Sequence, residues 1–141
     1  MPTKKMGFEG LLYYGPAGTT ASQAVTLSRD ITETFDIEEG PTTVKGAGSV
    51  APLETTRVTG RKYGVEFQTI YKSDDTIVLA MLAAAVAGTP VAIRTKAHTT
   101  GLGYDGDMNL KWKWGKPLKG EQTVDFSGTP NDDERAPLLN V

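Results

Sequence analysis

The sequence predicts a mainly β domain of the α+β kind. The expected form is an antiparallel sandwich or partly closed barrel with one flanking helix at about residues 74–87. Three observations predict it. Nineteen Thr and sixteen Gly stand against five Ser in 141 residues; β-branched Thr favours strands, and Gly at this density favours turns and bends. Apolar and polar residues alternate with period two in several stretches, which puts one face in a core and the other in water. Only one stretch carries the start and stop signals of a helix.

Residues 8–14 form a short apolar segment between Gly7 and Gly15-Pro16, expected as a short strand or docking arm, and 15–24 is a Gly/Ala/Thr loop. In Val25–Ile37 the apolar Val25, Leu27, Ile31, Phe35 and Ile37 share one parity, and Thr26, Ser28, Asp30, Thr32, Thr34 and Asp36 share the other. Arg29 and Glu33 interrupt the apolar side, so a bend or partial exposure is expected there. Residues 38–60 contain Gly40-Pro41, Gly46-Ala47-Gly48, Pro52 and Gly60, and are expected to be a long connection with short strands at 42–45 and 54–59. Loops of this length are uncommon in compact domains unless they are functional or disordered.

Tyr63, Val65, Phe67, Thr69 and Tyr71 alternate again. Ser73 or Asp74 is the expected cap of the following helix, with acids at the positive end of its dipole. Gly88 and Pro90 stop that helix. Val91–Lys96 is a strand and 97–106 a turn-rich loop. Met108, Leu110, Trp112 and Trp114 alternate with Asn109, Lys111 and Lys113 as a half-buried strand broken at Gly115-Lys116-Pro117. Gln122, Val124 and Phe126 mark the last expected strand. Residues 1–141 thus read as one domain with an N-terminal arm (1–24), the 38–60 connection and a C-terminal tail (128–141).

Composition excludes much chemistry. With no Cys there is no disulfide scaffold, Cys zinc site or thiol nucleophile. A single His, His98, leaves no two-His metal site and places no nucleophile for a triad. The net charge of −2 argues against nucleic-acid binding by bulk electrostatics. The longest apolar run, Ile77–Ala87, is eleven residues, against the roughly 20 a membrane span needs. No signal-peptide pattern precedes it, so a soluble cytoplasmic product is expected.

Gly101, Gly103 and Gly106 match G-x-G-x-x-G, but a strand pattern follows where a dinucleotide site needs a helix. A hairpin loop is expected instead. Asp105, Asp107 and Asn109 begin like a calcium loop, yet Leu110 and Lys116 occupy the positions that need Gly and Glu. The acid pairs Asp74/Asp75, Glu38/Glu39 and Asp132/Asp133 read as a helix cap and solvated surface. Lys111, Lys113, Lys116 and Lys119 interleave with Trp112 and Trp114. Strand parity puts the rings opposite Lys111 and Lys113, so core tryptophans behind a lysine face are expected rather than a stacking platform. No catalytic, cofactor or metal residue is assigned.

Assembly is the better theme. Nothing from Ile77 to Ala87 is polar. Such a helix either needs cover on every side, some of it from a loop or another subunit, or exposes its small Ala residues. Charge comes in blocks: five acids and no base from Asp30 to Glu39, then Arg57, Arg61 and Lys62, then the lysines. Opposite blocks suit head-to-tail contacts.

Three stretches resemble the tail tube (major tail) proteins of tailed bacteriophages: VTLSRDITETFDIEEGPTTVKGAGS (25–49), YGVEFQTIYKSDDTIVLAMLAAAVAGTPVAIRT (63–95) and GYDGDMNLKWKWGKPLKGEQTVDFSGTP (103–130). The resemblance spans roughly residues 25–137 and rests on order and spacing. It implies a structural subunit without enzymatic activity or cofactor, in hexameric rings stacked as a tube that conducts DNA. The implied partners are further copies of the chain and the tape-measure, initiator and terminator tail proteins, and the implied place is the virion tail, assembled in the host bacterial cytoplasm. Tubes of contractile injection and secretion systems share this fold. The 38–60 segment would bridge rings, and the helix would lie outside the inner sheet. Asp30, Thr32, Thr34 and Asp36, with Glu66 and Gln68, would line an acidic or neutral lumen, an expectation that Lys111 and Lys113 oppose if their face also points inward. A small phage connector or a ligand-binding β-sandwich is the competing expectation.

Overall fold

The computed structural model describes residues 4–44, 51–131, 135 and 137–140. A 3₁₀ turn at Gly7–Glu9 leads into β1 (Leu11–Pro16) and β2 (Gln23–Ala24). Then come β3 (Ser28–Val44), β4 (Leu53–Ile70), α1 (Thr76–Ala87), β5 (Val91–Lys96), β6 (Gly103–Gly115), β7 (Thr123–Asn131) and β8 (Leu138–Asn140). The strands form one antiparallel sheet in the order β2-β1-β5-β6-β7-β4-β3, with β8 on β6 beyond the end of β7. The fold is therefore mainly β with one flanking helix, as the alternation implies, and the sheet does not close.

Period two sorts the core. Val65, Phe67 and Thr69 of β4, Tyr104, Met108 and Leu110 of β6, and Val124 and Phe126 of β7 are buried. Phe67 and Phe126 sit opposite each other in register and stack with centroids 5.3 Å apart. Val78, Met81 and Leu82 of α1 join this cluster, and α1 packs against β6. Asp75, not Ser73 or Asp74, caps the helix: its carboxylate accepts from the Ile77 and Val78 amides at 3.1 and 3.4 Å. Asp74 instead pairs loosely with Lys72 at 3.8 Å. Gly88 ends the helix with φ of 74°, a left-handed conformation that side-chain-bearing residues resist.

Side chains tie the edge strand β3 to β5, which the sheet order sets four strands away. Thr95 Oγ1 of β5 donates to Glu33 Oε1 of β3 at 2.5 Å, and Tyr63 of β4 donates to the same Glu33 oxygen. The fully buried Asp107 accepts from the Gly18 amide with both oxygens, which fastens the loop after β1.

Several expectations need correction. The 38–60 connection is not a loop: β3 runs to Val44 and β4 starts at Leu53, in register down to Val44↔Leu53. Its tip, including Lys45 of the expected 42–45 strand, lies outside the described residues. Only Val65–Ile70 of β4 pairs with β7, so residues 53–64 and their β3 partners project as a two-stranded ribbon of roughly 40 Å at ~3.3 Å per residue. Thr content makes such a ribbon without a core. Thr42 and Thr55 hydroxyls meet at 2.5 Å, Thr59 Oγ1 donates to the Glu38 carbonyl at 3.2 Å, and Lys62 pairs with Glu38 at 2.7 Å. Pro41 is tolerated because β3 is the edge strand.

The expected 97–106 loop is shorter, because β6 begins at Gly103. A Cβ at Gly103 would overlap the Thr95 carbonyl oxygen, so the hairpin needs Gly there. The expected polar tail from residue 128 instead continues β7 to Asn131 and returns as β8. The expected buried side of β3 reaches only partway: Val25 is buried and Ile31 half-buried, but Phe35 and Ile37 are exposed on the ribbon.

The packing predicts that Phe126→Ala lowers stability by about 3–5 kcal/mol and that Asp75→Ala lowers it by about 1 kcal/mol. Urea unfolding should report both as shifts of midpoint at an unchanged slope.

Candidate assembly surfaces

Three surfaces bear on function. The first is the polar face of the sheet. Register sets its rows: Thr32, Glu66, Ser127 and Lys111 lie side by side, and Gln68, Asp125 and Lys113 form the next row. Gln68 Nε2 donates to Asp125 Oδ1 at 2.9 Å. A shallow depression of about 430 Å³ collects Asp30, Glu66, Lys111, Lys113 and Asp125. Lys111 and Lys113 therefore share the face of Asp30, Thr32, Glu66 and Gln68. Sequence parity could not compare separate strands, and only pairing aligns them. Along the ribbon the same rows continue through Thr34 opposite Gly64 and Asp36 opposite Lys62.

Trp112 lies on the other face, in register with Phe126, as parity implies. It is not a core residue, being 39% exposed. Trp114 is half-buried between Tyr71, 4.6 Å away, and Lys116, whose Nζ sits 4.4 Å above the ring. One lysine of the cluster thus does share a surface with a ring.

The second surface lies at the ribbon base. Phe35 and Ile37 are exposed there, and Val58 is exposed farther along the ribbon. Between the ribbon and the 97–102 turn an open groove of about 520 Å³ is lined by Glu33, Phe35, Tyr63, Leu102 and Leu139. Tyr63 stacks on Tyr104 with centroids 4.7 Å apart. Both phenols are held well above the ordinary 10.0. Burial is the main cause in each; the Glu33 hydrogen bond adds to it at Tyr63 and the Asp107 charge at Tyr104.

The third surface is the outer side of α1. The helix buries one side only; Leu79 and Val86 remain exposed, Val86 by 75%. Of the two expectations for an all-apolar helix, this chain on its own leaves one side uncovered, and larger residues than Ala stand there.

The chemical motifs disperse into structural roles. Gly101 closes a turn through its amide to the His98 carbonyl at 2.8 Å, and Gly103 and Gly106 lie in β6, so a strand follows the triple-glycine pattern. Asp105 pairs with Arg135, Asp107 holds Gly18, and Asn109 accepts from Asn131 at 2.9 Å. His98 stands in the turn with Nδ1 3.5 Å from Thr100 Oγ1. Asp132 and Asp133 lie outside the described residues. Among the described residues no three His, Cys, Asp or Glu gather as metal ligands, and no helix is long and apolar enough to cross a membrane.

Solved structures match this architecture over nearly its whole length. The tail of an empty gene transfer agent particle with C6 symmetry superposes at a TM-score of 0.72 and 15% identity, covering 98% of this chain and 100% of that one. The chain has the tail tube fold. A chain from the virion of the native gene transfer agent particle gives 0.71 at 12% identity, with 98% and 100% covered. The SPP1 tail tube gives 0.67 at 11% identity, covering 97% of this chain and 79% of that one. No family model and no curated protein matches the sequence. A tail tube fold at such low identity is held by pattern, register and close packing rather than by shared residues.

The raised phenols carry a pH dependence. Above about pH 10 the unfolded chain loses the Tyr63 and Tyr104 protons that the folded chain keeps. Their contribution to stability is complete below that point and falls as pH rises through the alkaline range. Urea midpoints should hold between about pH 8 and 9 and drop by about pH 11, and Tyr63→Phe should soften the drop.

Proposed function

We propose that this chain is the repeating subunit of a bacteriophage or prophage-derived tail tube. Six copies close into a ring, rings stack, and DNA passes through the bore. The observation that carries this reading is the match to a C6-symmetric tail across 98% of this chain and 100% of the other. The role is structural rather than enzymatic, the place is the virion tail after assembly in the host cytoplasm, and the partners are further copies with the tape-measure, initiator and terminator proteins.

The polar face suits the bore. A protein that binds phosphate must neutralise it with Lys or Arg. Here Lys111 and Lys113 stand in rows with Glu66 and Asp125, so the lysines are offset by neighbouring acids and DNA meets little net attraction. The exposed ribbon of β3 and β4 suits contact with a neighbouring ring, because its apolar residues Phe35, Ile37 and Val58 stand exposed among the described residues.

Electron microscopy of the purified protein with its tape-measure and initiator proteins is expected to reveal stacked rings. A species that stays monomeric at high concentration with those partners present would refute the tube. Single rings that never stack would point to a connector instead. Deleting residues 42–56 is expected to leave a folded domain, judged by circular dichroism, that no longer stacks. Tubes formed by that variant would remove the bridging role from the ribbon.

A further inference from the structure

The two ends of β6 differ in a complementary way. At Gly103 the strand borders the open groove lined by Phe35, Tyr63, Leu102 and Leu139, with Leu102 60% exposed. At Gly115 the strand ends, and a turn leads to β7 at Thr123. Leu118 in that turn is 100% exposed, between Lys116 and Lys119, and Gly120 turns the chain with φ of 100°. One end is an apolar socket and the other carries an apolar knob.

Charge complements this shape. One groove wall is β3, whose Glu33 lines the groove and accepts from Tyr63 and Thr95. Of the other β3 acids, Asp30 and Asp36 lie on the polar face and Glu38 pairs with Lys62, so Glu33 is the acid at the groove and has no lysine among the ion pairs of the described residues. The knob end bears Lys116 and Lys119, with Lys111 and Lys113 on the strand behind. A knob cannot fill its own socket. The thirteen residues of β6 separate the two by roughly 40 Å at ~3.3 Å per residue. The occupant must come from another copy.

We propose that the β6–β7 turn, centred on Leu118, seats in the Phe35–Leu102 groove of a second copy in the adjacent ring. Knob and socket lie at opposite ends of one strand, so the contact is head-to-tail, a type that closes into a ring or runs on as a stack according to its rotation, and here it is placed between rings. That is the geometry an axially growing stack needs. The inference rests on the tube reading and adds a second stacking contact, at the base of the ribbon rather than along its outer length.

Because the chain has no Cys, engineered thiols report this contact without background. The Leu118→Cys, Leu102→Cys double variant, assembled and mildly oxidised, is expected to give a ladder of covalent multimers on non-reducing gels that a reductant collapses. The Leu118→Cys, Val86→Cys control is expected to run as a monomer. In a second arm, Leu118→Asp is expected to lower the fraction of protein in tubes by roughly tenfold while single rings persist, since a carboxylate resists burial in an apolar groove. Tubes without a 118–102 ladder, a ladder from the control, or normal tubes from Leu118→Asp would overturn the knob and leave the tube reading intact. Failure of the unaltered protein to form any ring or tube with its partners would overturn both.

Discussion

The structure hangs on the backbone of β6. Its first residues pair with β8, its middle with β5, and its second half with β7, so one strand joins both halves of the sheet and the returning C-terminal segment. Its inward side chains Tyr104, Met108 and Leu110 form the surface on which α1 rests. Burial and ladder reinforce each other there. A shift of one residue would turn Met108 and Leu110 outward and bring Lys111 and Lys113 into the core, and that cost pins the register.

From that register follows the division of labour between the faces. Inside, Phe67, Phe126 and Val124 meet Met81 and Val78 with almost no exposure. Outside, both rows set a lysine and an acid in line, with hydroxyls in one row and an amide in the other. Such a face neither collapses on itself nor attracts a polyanion strongly, because charges of both signs are interspersed. The closure of the curl uses a different device. Glu33 gathers hydroxyls from Tyr63 and Thr95, while Thr95 accepts the Tyr104 amide at 3.0 Å. This chain of hydrogen bonds spans the gap that no backbone ladder crosses, and it lies beside the groove at the ribbon base.

What is left uncovered is selective. Exposed apolar residues stand at the N-terminal turn (Met6 and Phe8), along the ribbon, on the outer side of α1 and along β6 and the turns at its two ends. Contiguous exposed apolar surface on a small domain marks contact with partners. An isolated two-stranded ribbon is marginal in water, and this one carries one cross-strand Thr42–Thr55 pair and one Lys62–Glu38 pair. That arrangement fits an element shaped to finish its packing against another subunit.

Much of this was legible from local pattern. Helix α1 declares itself by an acidic cap, an unbroken apolar run and Gly88, all readable over fourteen neighbouring positions. Strand β7 and the inner side of β4 declare themselves by parity, because side-chain direction alternates strictly along one strand, and β5 by a short apolar run after Pro90. The ribbon was not legible, because Gly40-Pro41 and Gly60 look like loop punctuation while the hydroxyl pairs that hold it join residues such as Thr42 and Thr55 across two strands. The same limit governed the candidate site. The sequence by itself determined which residues of each strand face together, and so the Trp112 and Lys111 sides of β6. Only the tertiary structure decided that Lys111 and Lys113 stand beside Glu66 and Asp125, because cross-strand register is a property of pairing between distant segments, and no single strand contains it.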